Sequence, residues 1–166
     1  MSNRRKTLLG LGVLTGIAAG VRGLFTSSPA VAAQPARTYE VTHTDAEWRQ
    51  LLTREQFQVL RQAGTERPYT SPLDKEKRNG MFSCAGCALP LFLSKTKFNS
   101  GTGWPSFWQP LDKSVDESVD STFGMRRVEV LCHRCGGHLG HVFDDGPKPT
   151  GLRYCMNGVA LNFAPA

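Results

Sequence analysis

A chain of 166 residues, 40% of them hydrophobic and 20% charged, is long enough to bury one real core, and its composition is neither that of a disordered chain nor of a fibrous one. The net charge of +6 is unevenly placed: four of the 20 basic residues and none of the 14 acidic ones precede residue 37, which leaves 16 against 14, or +2, for the rest. So small a balance gives no basic footprint, and no nucleic-acid partner is expected.

The first 36 residues read as an export signal and linker. "MSNRRKTLLGLGVLTGIAAGV" has a basic start and an apolar run of 14 residues, Leu8 to Val21, broken by glycines and ended by Arg22. That is shorter than the roughly 18 residues a membrane span needs, so no permanent membrane anchor is expected. Small residues in "SSPAVAAQPA" offer a cleavage point near Ala30 to Ala33. The pair Arg4-Arg5 resembles a twin-arginine signal, which exports folded protein, and an ordinary secretory leader is the alternative. Either places the mature protein outside the cytoplasm, as a periplasmic protein. Residues 37–166 form the single expected domain.

In chain order, "TDAEWRQLLTREQFQVLRQAG" carries two capping boxes, Thr44 with Glu47 and Thr53 with Gln56, so two short helices are predicted, with Phe57 and Leu60 inward and Gly64 as the stop. The polar "TERPYTSPLDKEKRNG" reads as a surface loop. Strand-length apolar pieces then alternate with Gly and Pro: "MFSC", "LPLFL", "MRRVEVLC", "HLGHVF" and "RYCMNGVALNF". The fold class is therefore mainly β, an antiparallel core after a short helical segment.

Two Cys-x-x-Cys knuckles, Cys84 with Cys87 and Cys132 with Cys135, are 44 residues apart. Together they offer a tetrahedral thiolate shell for one structural zinc ion, with no position left open for a substrate. Haem attachment is excluded, because Ala88 and Gly136 stand where a histidine is required. Structural disulfides are the competing reading for an exported protein, and folded export, with zinc loaded on reduced thiols, answers it.

The fifth cysteine, Cys155, stands alone. Strand alternation in "RYCMN" puts Arg153, Cys155 and Asn157 on one face, where the guanidinium would favour the nucleophilic thiolate; an inert packing cysteine is the other reading. "GGHLGHVFDDG" offers His138 and His141 for proton transfer, with Asp145 on the face of His141. In "NSGTGWPSFWQP", Trp104, Phe107 and Trp108 either form a small core or wall a pocket for an apolar group.

Taken together, "GTE", "CAGC", "SGTGWPSF", "CHRCGGHLGHVFDDGPKPTG" and "RYCMNGVALNF" resemble the peptide-methionine (R)-S-oxide reductases, the B-type methionine sulfoxide reductases, over about Trp48 to Phe163. The resemblance implies two coiled antiparallel sheets with a zinc site joining the knuckles, and Cys155 as nucleophile. It implies that His141, with His138, Asp145 and Asn157, organises proton delivery, that Arg153 supports the thiolate, and that Trp104 holds the substrate methyl; Phe107, from the same aromatic loop, is the second candidate for substrate binding. The implied partners are oxidised proteins or peptides carrying methionine-R-sulfoxide and a thioredoxin-like or small-thiol reductant, acting on a monomer.

One position departs from the pattern. Many family members carry cysteine in "SGCGWPSF" to resolve an oxidised nucleophile, and this chain has Thr102 there. An external thiol is then expected to reduce Cys155 directly. The alternatives are a non-catalytic zinc-knuckle binding module and a Cys-x-x-Cys thiol oxidoreductase.

Overall fold

The computed structural model describes residues 37–121, 124 and 126–166; the leader expectation lies outside them. Both capping boxes form. Thr44 caps α1 (Asp45–Leu51) and Thr53 caps α2 (Arg54–Gln62), each hydroxyl accepting the third helical N–H while the Glu47 or Gln56 side chain accepts the cap residue's own N–H. The left-handed residue that ends α2 is Ala63, with φ 50°, and the Gly64 N–H then donates to the Gln58 carbonyl at 3.0 Å. Phe57, Val59 and Leu60 are buried, and Trp48 of α1 is 1% exposed. No helix among the described residues is long and apolar enough to cross a membrane.

Among the described residues, nine strands follow in two antiparallel sheets. The small sheet has the order β2-β1-β9, built from β1 (Gly80–Cys84), β2 (Pro90–Leu93) and β9 (Leu161–Pro165). The large sheet has the order β3-β4-β8-β7-β6-β5. Its strands are β3 (Lys97–Phe98), β4 (Ser106–Phe107), β5 (Val115–Asp120), β6 (Arg127–Cys132), β7 (His138–Phe143) and β8 (Arg153–Met156). The run "RYCMNGVALNF" is not one strand: a 3-10 turn at Gly158–Ala160 hands the chain from the large sheet to the small one. The charged "VDESVD" forms an edge strand with no apolar alternation to announce it, which suits an edge that must not recruit further strands.

Period-two geometry splits the large sheet into two rows. Phe107, Tyr154 and Val142 stand opposite one another on β4, β8 and β7, and all three are buried in the core. Ser106, Cys155, His141 and Glu129 form the neighbouring row on β4, β8, β7 and β6, pointing to the other face. The core row explains a correction. Phe107 is fully buried, stacked on Phe92 with ring centroids 4.3 Å apart and edge-on to Phe82. Its ring is on the opposite side of the sheet from Cys155 and walls the core, not a substrate pocket.

Candidate functional site

The two knuckles fold alike. After each second cysteine comes a left-handed residue, Ala88 with φ 58° and Gly136 with φ 67°, whose N–H donates to the first cysteine's carbonyl at 2.8 Å in both cases. The chain thus curls around each sulfur pair, with a small residue at the left-handed position each time. All four Sγ atoms lie within 4.8 Å of one another, with Cys84 to Cys135 at 3.8 Å and Cys87 to Cys132 at 3.5 Å. Tetrahedral ligation with Zn–S near 2.3 Å demands sulfur pairs about 3.8 Å apart, whereas a disulfide demands about 2.05 Å. All five cysteines are free thiols. The donor set fits a metal ion such as zinc, which would bind the four sulfurs as thiolates. Arg61 of α2 locks the cluster to the helical layer, its Nη1 donating to the Cys135 carbonyl at 3.0 Å.

The second constellation is built on the outward row of the large sheet. Cys155 and His141 are directly opposed on β8 and β7, a pairing that sets Cβ atoms about 5 Å apart. Gly140 permits that approach, since a Cβ there would collide with the Cys155 carbonyl. His138 lies three residues before His141, and plain alternation would put it on the far face. A bulge overrides the alternation: Val130 pairs with Gly140 and Leu131 with His138, leaving Leu139 extra. Both imidazoles therefore share the face of Cys155, their rings edge-on with centroids 5.4 Å apart.

Each histidine has a carboxylate that the sequence reading did not assign to it. His141 Nε2 donates to Asp120 Oδ2 at 2.9 Å, and His138 Nδ1 donates to Glu129 Oε1 at 2.7 Å. Asp120 is also held by Arg127 Nη2 at 2.6 Å. Asp145, expected beside His141, instead lies past the end of β7, where it takes a two-pronged bond from Arg153 at 2.8 and 2.9 Å. With Nε2 committed to Asp120, His141 in its neutral form keeps its lone pair on Nδ1. Burial lowers the His141 pKa more strongly than Asp120 raises it, which favours the neutral ring.

Cys155 departs from expectation in the same sense. Its pKa is raised by burial, against the opposing pull of the Thr102 hydroxyl, the Arg153 guanidinium and Ser106. The cation expected to make it a thiolate is shared with Asp145 and stacked on the Phe143 ring at 4.4 Å, and burial wins. The resting residue is a thiol opposite a neutral imidazole. Asn157, just past the end of β8, is 4% exposed, its amide donating to the Leu139 carbonyl at 3.1 Å and its oxygen accepting from the Glu66 N–H at 2.9 Å.

Glu66, from "GTE", is the residue the sequence reading left without a role. Its carbonyl accepts the Trp104 indole N–H at 3.2 Å, and its half-buried carboxylate accepts from the Gly158 and Val159 N–H groups at 2.5 and 3.0 Å. Together with the Asn157 contact it ties Trp104 to the turn that follows Cys155.

A partly buried thiol, an imidazole opposed to it and a carboxylate behind that imidazole, on a scaffold pinned by a thiolate cluster, define a cysteine-dependent enzyme. The SelR domain family matches residues 52–165. Proteins called peptide methionine sulfoxide reductase MsrB are similar to this chain. The one from Leptospira interrogans is 55% identical over 126 residues, 75% of this chain and 96% of the relative. Those from Agrobacterium fabrum and Pseudomonas putida strain W619 are each 54% identical over 127 residues, 76% of this chain and 94% and 96% of the relatives. The chain belongs to the MsrB family of methionine sulfoxide reductases.

Proposed function

We propose that the protein reduces the R epimer of methionine sulfoxide in oxidised proteins and peptides, with Cys155 as nucleophile and His141 as proton carrier. The observation that carries the mechanism is the direct opposition of Cys155 and His141 across β8 and β7 with Asp120 fixing the imidazole. His141 Nδ1 takes the Cys155 proton, and Asp120 stabilises the imidazolium that results. The thiolate attacks the sulfoxide sulfur while the imidazolium protonates the oxygen, a poor leaving group until then. As the S–O bond breaks, that oxygen, carrying the proton, ends on Cys155 as a sulfenic acid. The substrate leaves as methionine, its sulfur reduced by two electrons and that of Cys155 oxidised by two.

Trp104, half-buried and anchored through its indole N–H, offers the aromatic wall for the substrate methyl. No second cysteine resolves the sulfenic acid, since the other four are gathered in the metal cluster and Thr102 lies beside Cys155. An external thiol therefore attacks Cys155 sulfur, releasing water and forming a mixed disulfide, and a second thiol restores Cys155. A thioredoxin-like protein or a small thiol fits that need. The cluster holds one structural zinc ion. The twin-arginine-like leader supports export to the periplasm after folding.

Mass spectrometry after one turnover without reductant tests the chemistry. Cys155 should carry one added oxygen, trappable as a sulfenic acid; an intramolecular disulfide to Cys155 would overturn the external-thiol step.

A further inference from the structure

Three linked hydroxyls lie beside Cys155, and two of them, Thr102 and Ser106, also act on its thiol directly. Thr102 Oγ1 is 3.9 Å from the Cys155 sulfur, Ser100 Oγ is 2.8 Å from Thr102, and Ser106 Oγ is 2.7 Å from Ser100 and 3.0 Å from the Trp104 carbonyl. Ser106 is fully buried and directly opposed to Cys155 on the neighbouring strand. We propose that Ser106, Ser100 and Thr102 form a reversible hydroxyl chain that accepts a hydrogen bond from the Cys155 thiol at rest and turns to donate to the sulfur once it is a thiolate. The inference rests on Cys155 being the nucleophile.

The direction follows from counting protons, since each hydroxyl has one to donate. The Trp104 carbonyl can only accept, so Ser106 donates to it. Ser100 then donates to Ser106 and Thr102 to Ser100. Thr102 has no proton left for the sulfur, so the Cys155 S–H donates to Thr102, and every group in the line is satisfied. A thiolate reverses the order: Thr102 donates to sulfur, Ser100 to Thr102 and Ser106 to Ser100, while the Trp104 carbonyl gives up one bond. The resting arrangement thus favours the thiol, and the same three side chains support the thiolate after three hydroxyl rotations. Thr102 is in this reading the terminal donor of the chain.

The charged groups around the sulfur are the same in either arrangement. His141 faces it from β7 with Asp120 behind, and Arg153 lies two residues along β8 with Asp145 on its guanidinium. A variant in the hydroxyl chain therefore reports on the chain itself.

Alkylation of Cys155 by iodoacetamide, followed by intact mass across neutral to alkaline pH on the metal-loaded protein, separates the outcomes by sign. In Ser100→Ala, Thr102 loses its acceptor and turns its proton to the sulfur, so labelling at neutral pH should be about 3- to 10-fold faster and the midpoint lower. In Thr102→Val the thiolate loses the chain's terminal donor and keeps only the pull of Ser106 and Arg153, so labelling should be slower by a similar factor, and Thr102→Ser should match the wild type. General loosening of the loop would speed labelling in both variants. Shifts of the same sign, or an unchanged profile in Ser100→Ala, would overturn the proposal. The readout is the thiol itself and not turnover, so failure here is distinguishable from failure of Cys155 as nucleophile.

Discussion

Asp120→Asn isolates the electrostatic part of the histidine's role. The amide keeps the size of the carboxylate and can still accept the His141 Nε2–H, so the ring stays oriented and the charge alone is removed. A hydrogen bond to a charged partner is worth about 1–2 kcal/mol more than one between neutral groups. Applied to the imidazolium formed in the reaction, that is about 5- to 30-fold in kcat. Because Arg127 already draws on the same carboxylate at 2.6 Å, the lower half of that range is expected. The sign of the pH effect follows from the same contact. Asp120 raises the His141 pKa against burial, so its neutralisation lowers that pKa further. Protonated His141 cannot take the Cys155 proton, and the acid limb of the kcat profile should therefore move to lower pH as the maximum falls. Steady-state turnover of a methionyl-R-sulfoxide peptide across pH measures both. An unchanged kcat, or an acid limb moving to higher pH, would refute the assignment of His141 as proton carrier backed by Asp120.

Glu66→Gln breaks the paired acceptance of two N–H groups while the backbone contacts to Trp104 and Asn157 remain. KM for the peptide should rise about 3- to 10-fold with a smaller change in kcat, and tryptophan emission should shift, because loss of a charge-assisted bond of about 1 kcal/mol loosens the substrate wall and not the nucleophile. Cys132→Ser removes one ligand of the cluster. Metal content should fall from one ion per chain, with a loss of several kcal/mol seen as a Tm lower by about 10–20 °C; full metal retention with unchanged Tm would contradict a structural zinc site. Across pH, alkylation of wild-type Cys155 should keep rising above the ordinary thiol range near 8.5, since burial raises its pKa.

Local chemistry carried much of the architecture into the sequence. The capping boxes at Thr44 and Thr53 fixed both helix starts, and Cys-x-x-C spacing announced the knuckles because each signal is complete within four residues. What escaped the reading depends on pairing. The bulge at Leu139, which brings His138 to the face of His141, exists only in the register between β6 and β7. Asp120 lies 21 residues before His141 in an edge strand without apolar alternation, so nothing nearby linked them. Phe107 looked like pocket lining because it shares a loop with Trp104. Its pairing opposite Tyr154 assigns it to the core, and a strand of two residues is too short to be read from its sequence. Glu66 was visible in "GTE", although its partners at 104, 157 and 158 are distant in the chain.

The central claim is that Cys155 attacks the sulfur of one sulfoxide epimer. Turnover of separate R and S epimers of a methionyl sulfoxide peptide, by wild type and Cys155→Ser side by side, tests it most directly. The account predicts reduction of the R epimer alone by the wild type, and none by a Cys155→Ser protein that keeps its metal and its Tm. Substantial R-epimer reduction by Cys155→Ser, or equal use of both epimers by the wild type, would contradict it.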